Sequence, residues 1–248
     1  MWTWLHKLGS PERYYSLADK FAPWLGLPAA VLILIGLYGG LVLSPADYQQ
    51  GDSFRIIYIH VPAAWMSMLV YVFMATNAAI GLIWRIKVSD LIARSSAGIG
   101  ASFTFLALFT GVLWGEPTWG KGFDLDPRIL SELLLFFLYI GYIALYNAIE
   151  DPRSAARASA ILAIVGVVNI PIIHYSVVWW NSLHQGPIIS SNGFSVAGSM
   201  LWPLLVMVIG FQLYFLYVLL RSSQSRLLER ERNAKWVLSL AEKEQLNV

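Results

Sequence analysis

Two histidines carry the most suggestive chemistry in the chain. His60, in IHVPAAW, stands at the mouth of one long apolar run, and His184, in NSLHQG, lies just beyond another. Neutral imidazole is a common axial ligand of haem iron, and two imidazoles approaching one iron from opposite sides fill both axial positions. A single histidine at a membrane interface more often serves as a hydrogen-bonded structural residue, so the haem reading rests on the pair. No cysteine is present, which removes thiolate ligands, disulfides and a thiol nucleophile. Arg55, Lys121 and Arg128 fall on the same side as the two histidines, and a guanidinium fork suits carboxylates such as the two propionates of a haem. His174, in PIIHYS, sits inside an apolar run, where it is either a functional group at depth or a neutral packing residue. His6 falls on the opposite side.

The elements that must position these residues follow from hydropathy. Six apolar stretches, roughly residues 22–43, 63–84, 96–114, 129–149, 158–178 and 199–220, are each long enough to cross the hydrocarbon core as a helix. Runs of this length satisfy their backbone polar groups internally, whereas a barrel would show short alternating strands. The expected fold class is an all-α integral membrane protein of six transmembrane helices. Of 17 lysines and arginines, 14 fall on one side of that reading. Because basic residues near span ends are retained in the cytoplasm, both termini are expected inside and the His60 and His184 loops outside. The first run begins near Phe21, after a mixed-charge stretch and without an evident cleavage site, and reads as a retained helix.

Composition agrees: 57% of residues are hydrophobic, 13% are charged, and mean hydropathy is +0.60. The formal charge of +2 is too small to argue for nucleic acid, and its basic excess is that of the inside face. The chain divides into a six-helix membrane unit, 1–220, and a tail, 221–248, in which Leu227, Leu228, Trp236, Leu238 and Leu240 alternate with charges as in an amphipathic cytoplasmic helix. There is no phosphate-cradling glycine loop with its lysine, so nothing points to nucleotide hydrolysis by this chain.

The inside connections, Arg85 to Ser95 and Glu150 to Arg157, are short; the outside ones are Ser44 to Pro62, Gly115 to Arg128 and Val178 to Ser199. Tyr58, Trp65, Trp114, Trp119, Phe123, Trp179 and Trp180 concentrate on the outside, as an interfacial belt or as a binding surface. Asp126-Pro127 reads as a helix start, with Asp126 the N-cap. Arg128 and Glu132, four apart, are expected to pair. Asn77, Asn147 and Asn169 are expected to bond between helices, and Pro171 to break its own.

The stretches SPADYQQGDSFRIIYIHVPAAW, WGEPTWG, DPRILSELLLFFLYIGYIALY and VVNIPIIHYSVVWWNSLHQG resemble the cytochrome c maturation protein C family, also called haem exporter protein C, over about Met1 to Gly186. The resemblance implies a non-enzymatic protein of the bacterial inner membrane that handles haem b. It implies partners as well: an ATP-binding cassette pair, a small membrane subunit, the surrounding lipid, and a periplasmic haem chaperone that receives the haem. Carried onto this chain, the haem ligands are His60 and His184, the tryptophan-rich loop contributes Trp114, Trp119 and Asp126, and the flanking arginines are Arg55 and Arg128. Where the family has Trp-Trp-x-Trp-Asp, this chain has Gly122, Phe123, Asp124, Leu125 and Asp126, so three indoles are replaced and an apolar shelf is lost. Two rival classes remain on the residues alone. A secondary transporter would place polar groups at broken helices near the midplane, and a quinone-linked haem electron carrier would hold haem between helices at depth.

Overall fold

The computed structural model describes residues 9–122, 125–180, 182, 184, 186, 189–190 and 193–246. Six helical segments are long and apolar enough to span a membrane: 11–43, 52–84, 87–119, 127–148, 152–179 and 198–230. They comprise α1 (Pro11–Tyr38, continued by a π-helical turn to Leu43), a 3-10 turn Asp52–Ile56 leading into α2 (Ile57–Trp84), α3 (Lys87–Trp119), α4 (Pro127–Ala148), α5 (Pro152–Gly166) with α6 (Asn169–Trp179), and α7 (Gly198–Arg230). A helix α8 (Lys235–Leu246) follows, and the described residues add one two-residue hairpin, β1 (Ile189–Ser190) with β2 (Gly193–Phe194).

The number of spans matches the hydropathy reading, but the ends do not. α3 and α7 are each 33 residues, about 50 Å at 1.5 Å per residue, against a hydrocarbon core of about 30 Å. Hydropathy sees only the immersed part. The expected loop from Arg85 to Ser95 is therefore a two-residue turn, Arg85 and Ile86, with Arg85 in the left-handed region at φ 56°. At the other end α3 continues to Trp119, and His60 belongs to the first turn of α2. Trp114 and Trp119 are thus helical, not loop, residues. The fifth span is interrupted at Val167 and Val168, between α5 and α6. The cause is Pro171, whose ring has no N–H to offer the carbonyl four residues earlier, that of Val167.

α2 and α3 pack side by side, as do α1 and α7, and α4 to α6 close the bundle against α2 and α3. The core is formed by Tyr58, Tyr71, Tyr139, Met66, Met74, Leu135 and their neighbours. Tyr58, expected near the interface, is fully buried and shares a 2.6 Å hydrogen bond with Ser44. Asn147 and Asn169 do bond between helices, to Arg94 and to the Ser131 carbonyl. Asn77 instead donates within its own helix, to the Phe73 carbonyl. Arg128 and Glu132 are electrostatic neighbours, as their spacing allows, but make no direct ion pair: Arg128 Nη1 donates to the Ile173 carbonyl at 2.9 Å, and Glu132 accepts from Ser67 at 2.7 Å, each on a neighbouring helix.

At the end of the bundle opposite His60, α7 runs on past residue 220 as one helix. Leu227 is buried there, and Trp236 of α8 lies 5.6 Å from the Tyr15 ring. The tail therefore folds back on α1, and ion pairs Lys87–Glu231 at 3.7 Å and Arg221–Asp19 at 3.8 Å join it to the bundle. Between α4 and α5, the exposed Asp151 caps α5; the Ser154 hydroxyl and backbone amide hold its carboxyl below the usual range.

Candidate histidine cleft

His60 is buried, with 9% of its surface exposed. Its Nδ1 lies 3.0 Å from the Thr110 hydroxyl on α3. That hydroxyl has one proton, and it is directed to the Leu106 carbonyl at 2.6 Å. Thr110 therefore accepts from His60, which places the ring proton on Nδ1 and leaves Nε2 with a free lone pair. The geometry thus selects the tautomer that can ligate a metal through Nε2.

The His184 ring centroid is 6.2 Å from that of His60, with the planes tilted by 34°. Its segment is tied down by a short relay: the His184 amide donates to Ser182 Oγ at 3.1 Å, and Ser182 donates to Asp126 Oδ1 at 3.0 Å. Asp126 Oδ1 also accepts from the Arg128 amide at 2.8 Å, the N-cap bond of α4. One carboxylate therefore starts a helix and holds the strand of chain that carries the second histidine. Asp126→Ala is expected to lower stability by the amount of an N-cap, about 0.5–2 kcal/mol, and to broaden the His184 environment. NMR of ring-labelled histidine would check the second effect, and an unshifted, sharp His184 signal would refute it.

The two rings face a cleft of about 540 Å³, lined also by Ala64, Ala107, Leu108, Gly111, Val112, Trp114, Trp119, Arg128, Ile129 and Glu132. Its largely apolar lining with a few convergent polar groups is that of a small-molecule site. A smaller neighbouring space of about 340 Å³ reaches Lys121, Gly122 and Asp126. Trp114 forms a wall: its ring meets His60 edge to face at 5.6 Å, and its Nε1 donates to Gln50 Oε1 of the first long loop at 2.8 Å. The Trp119 ring is 6.3 Å from His184. Gly111 gives α3 the closest approach, since a Cβ there would stand 3.1 Å from His60 Cε1.

Six of the seven residues singled out in the sequence, His60, His184, Arg128, Trp114, Trp119 and Asp126, come together here. Arg55 does not line the cleft. Its Nη1 donates to the Gly40 and Leu41 carbonyls at 3.1 and 3.0 Å, and its Nε pairs with Asp52 at 3.0 Å. It closes the π-helical end of α1, where carbonyls lack helical partners. His174 is exposed on the bundle surface, 4.8 Å from Tyr175. Phe123 and Asp124 of the altered loop lie outside the described residues; Leu125 is 75% exposed and gives the cleft no cover. Sequence reasoning missed Thr110, Gly111, Gln50 and Ser182. Of these only Ser182, two residues before His184, carried a local signal.

Chemically, the cleft offers imidazole nitrogen from two sides, one cation and apolar walls. Among the described residues no cluster of three or more histidine or acidic groups is placed to hold a bare metal ion.

The comparisons with known proteins bear on the same point. A family model described as Heme exporter protein C matches residues 4–238, beyond the Gly186 limit of the motif resemblance. Heme exporter protein C of Escherichia coli (strain K12) is 47% identical over 240 residues, 97% of each chain. That of Haemophilus influenzae is 45% identical over 243 residues, 98% of this chain and 99% of the relative. A putative cytochrome c biosynthesis ccmC-like mitochondrial protein of Marchantia polymorpha is 41% identical over 180 residues, 73% of this chain and 76% of the relative. Matched from end to end at this level, the chain belongs to the Heme exporter protein C family.

Proposed function

We propose that this chain is the haem-binding and haem-delivery subunit of a cytochrome c maturation system, holding haem b between His60 and His184 at the periplasmic face of a bacterial inner membrane. The observation that carries the reading is the histidine pair, with the His60 ring proton directed at Thr110. Two imidazoles bound to one metal at about 2 Å bring their ring centres roughly 6 Å apart, and these centres are 6.2 Å apart. A haem supplies an iron with four equatorial ligands already satisfied and two axial positions open. His60 and His184 would take those positions. Gly111, Trp114 and Trp119 would give flat, apolar surroundings, and Arg128, at the cleft wall, would receive a propionate. Arg55 supports the site through the end of α1.

Delivery requires the bound group to be reachable. The side of Gly122 and Leu125, where the family motif carries indoles, is the side from which a periplasmic haem chaperone would take it. The ATP-binding cassette pair and the small membrane subunit complete the assembly, and this chain acts as a carrier, not as an enzyme. The 14 basic residues at one end support a cytoplasmic placing of that end and of both termini.

Purified protein should therefore carry haem with a low-spin, bis-histidine spectrum and a positive pyridine haemochrome assay. A haem-free preparation that also fails to take up added haemin would end the reading. For orientation, Tyr48→Cys in this cysteine-free chain is expected to react with an impermeant thiol reagent in intact spheroplasts, and Glu150→Cys to be protected. The reverse pattern would invert the topology.

A further inference from the structure

At the basic end, α3 and α7 run antiparallel and in contact, and two levels of paired positions meet between them. At the outer level charges complement: Arg230 Nη1 of α7 lies 3.4 Å from Asp90 Oδ2 of α3, and the Tyr146 hydroxyl of α4 donates to the same oxygen at 3.0 Å. Four residues on from Asp90 is Arg94, and four residues back from Arg230 is Arg226. The next level, one helical turn toward the bundle centre, thus sets arginine against arginine.

Asp90 lies within electrostatic reach of Arg94, but among the described residues neither Arg94 nor Arg226 forms an ion pair. Arg94 lies over the Tyr146 ring, 4.3 Å from its centroid, and makes one long bond of 3.4 Å to Asn147 Oδ1. Arg226 is half-buried and makes none of the hydrogen bonds or ion pairs formed among the described residues, while Arg94 is a near electrostatic neighbour. Glu229, also within electrostatic reach, is exposed. Two half-buried like charges on different helices repel at low dielectric unless an anion joins them. Two guanidinium forks match the oxygens of a phosphate.

We propose that Arg94 and Arg226 form a phosphate-binding site, and that its occupant in the membrane is the headgroup of an anionic phospholipid. Depth favours the lipid. Arg226 is four residues from the end of α7 and Arg94 seven from the start of α3, so both lie about 6–10 Å inside helices of about 50 Å. That is headgroup level in a bilayer of about 40–45 Å including its polar regions. Basic residues in this zone draw anionic lipid by about fivefold each.

The test uses the full chain in phosphatidylcholine nanodiscs doped with phosphatidylglycerol, with retained lipid counted by native mass spectrometry. Arg226→Gln removes no hydrogen bond or ion pair formed among the described residues, so its fold should be preserved; an unchanged melting profile in pure phosphatidylcholine verifies this. It should retain phosphatidylglycerol about fivefold more weakly, and Arg94→Gln/Arg226→Gln weaker still. Arg153→Gln, at the same end but outside the pair, should match wild type. Wild-type retention in the double variant overturns the site and leaves the pair to a carboxylate of a partner protein. Inorganic phosphate that stabilises the detergent-solubilised chain against heat as strongly as phosphatidylglycerol does, with loss in Arg226→Gln, overturns the lipid assignment in favour of the free anion.

Discussion

Alanine at His60 or at His184 is expected to empty the cleft. Loss of the hydrogen-bond partner of a metal-bound histidine alone lowers metal affinity about 10–100-fold, and removal of a ligand should exceed that. Each variant should insert normally and lose most of its haem during purification, the remainder shifting from a low-spin to a five-coordinate spectrum. Thr110→Val, nearly the same shape without the acceptor, isolates the tautomer effect. It frees His60 Nδ1 from its 3.0 Å partner and should fall within the 10–100-fold range. His174→Ala, at an exposed position on α6, should retain wild-type haem. Wild-type haem content in the His60→Ala/His184→Ala double variant would refute the assignment, and a greater loss in His174→Ala would move the site to α6.

The second large effect is steric. A Cβ at Gly111 would stand 3.1 Å from His60 Cε1 and 3.6 Å from its Nδ1. Gly111→Leu drives a branched side chain into the cleft against the first histidine, and should abolish haem retention as fully as loss of the ligand. Its backbone needs no unusual conformation, so the helix should persist. Gly98→Ala, on the same helix with nothing within 4 Å of the added carbon, is the control. It should keep full haem and gain slightly in stability from the better helix former, up to about 1 kcal/mol. Haem content in Gly111→Leu equal to that of Gly98→Ala would show that the cleft is not where haem sits.

These two experiments touch residues of very different legibility. His60 and His184 could be found from sequence because histidine is rare here and both lay at apolar run ends. Arg128 and Asp126 were legible through Asp-Pro helix-start chemistry and through the shortage of cations on that side. Thr110 and Gly111 were not. Nothing distinguishes them from other small residues of α3 until α2 packs beside it and brings residue 60 against residue 110. The helix count was legible for the reason that membranes demand about 20 apolar residues per crossing. The ends were not, because helices such as α3 and α7 extend well beyond the lipid, where polar residues continue the helix without a hydropathy signal. Arg55 illustrates the remaining gap: a cation on the right side of the membrane is committed to the carbonyls of Gly40 and Leu41, a role visible only once α1 ends in a π-helical turn.

The pairing of α1 with α7 also constrains how the protein is made. Gly36, Gly39 and Gly26 of α1 receive Met207, Trp202 and Tyr217 of α7, and Tyr14 bonds Ser223 at 2.6 Å across 209 residues of chain. α1 thus waits for α7. At about 5–20 residues per second, the intervening synthesis takes on the order of ten seconds or more, during which the glycine notches of α1 can be filled only by lipid. The central helices, α2 to α6, have their neighbours close in sequence and can assemble as they emerge. A nascent chain stalled before Gly198 should accordingly hold the first helix only at its Ser44 end, through Tyr58 and Arg55, leaving the rest of α1 open to degradation by membrane proteases until α7 arrives.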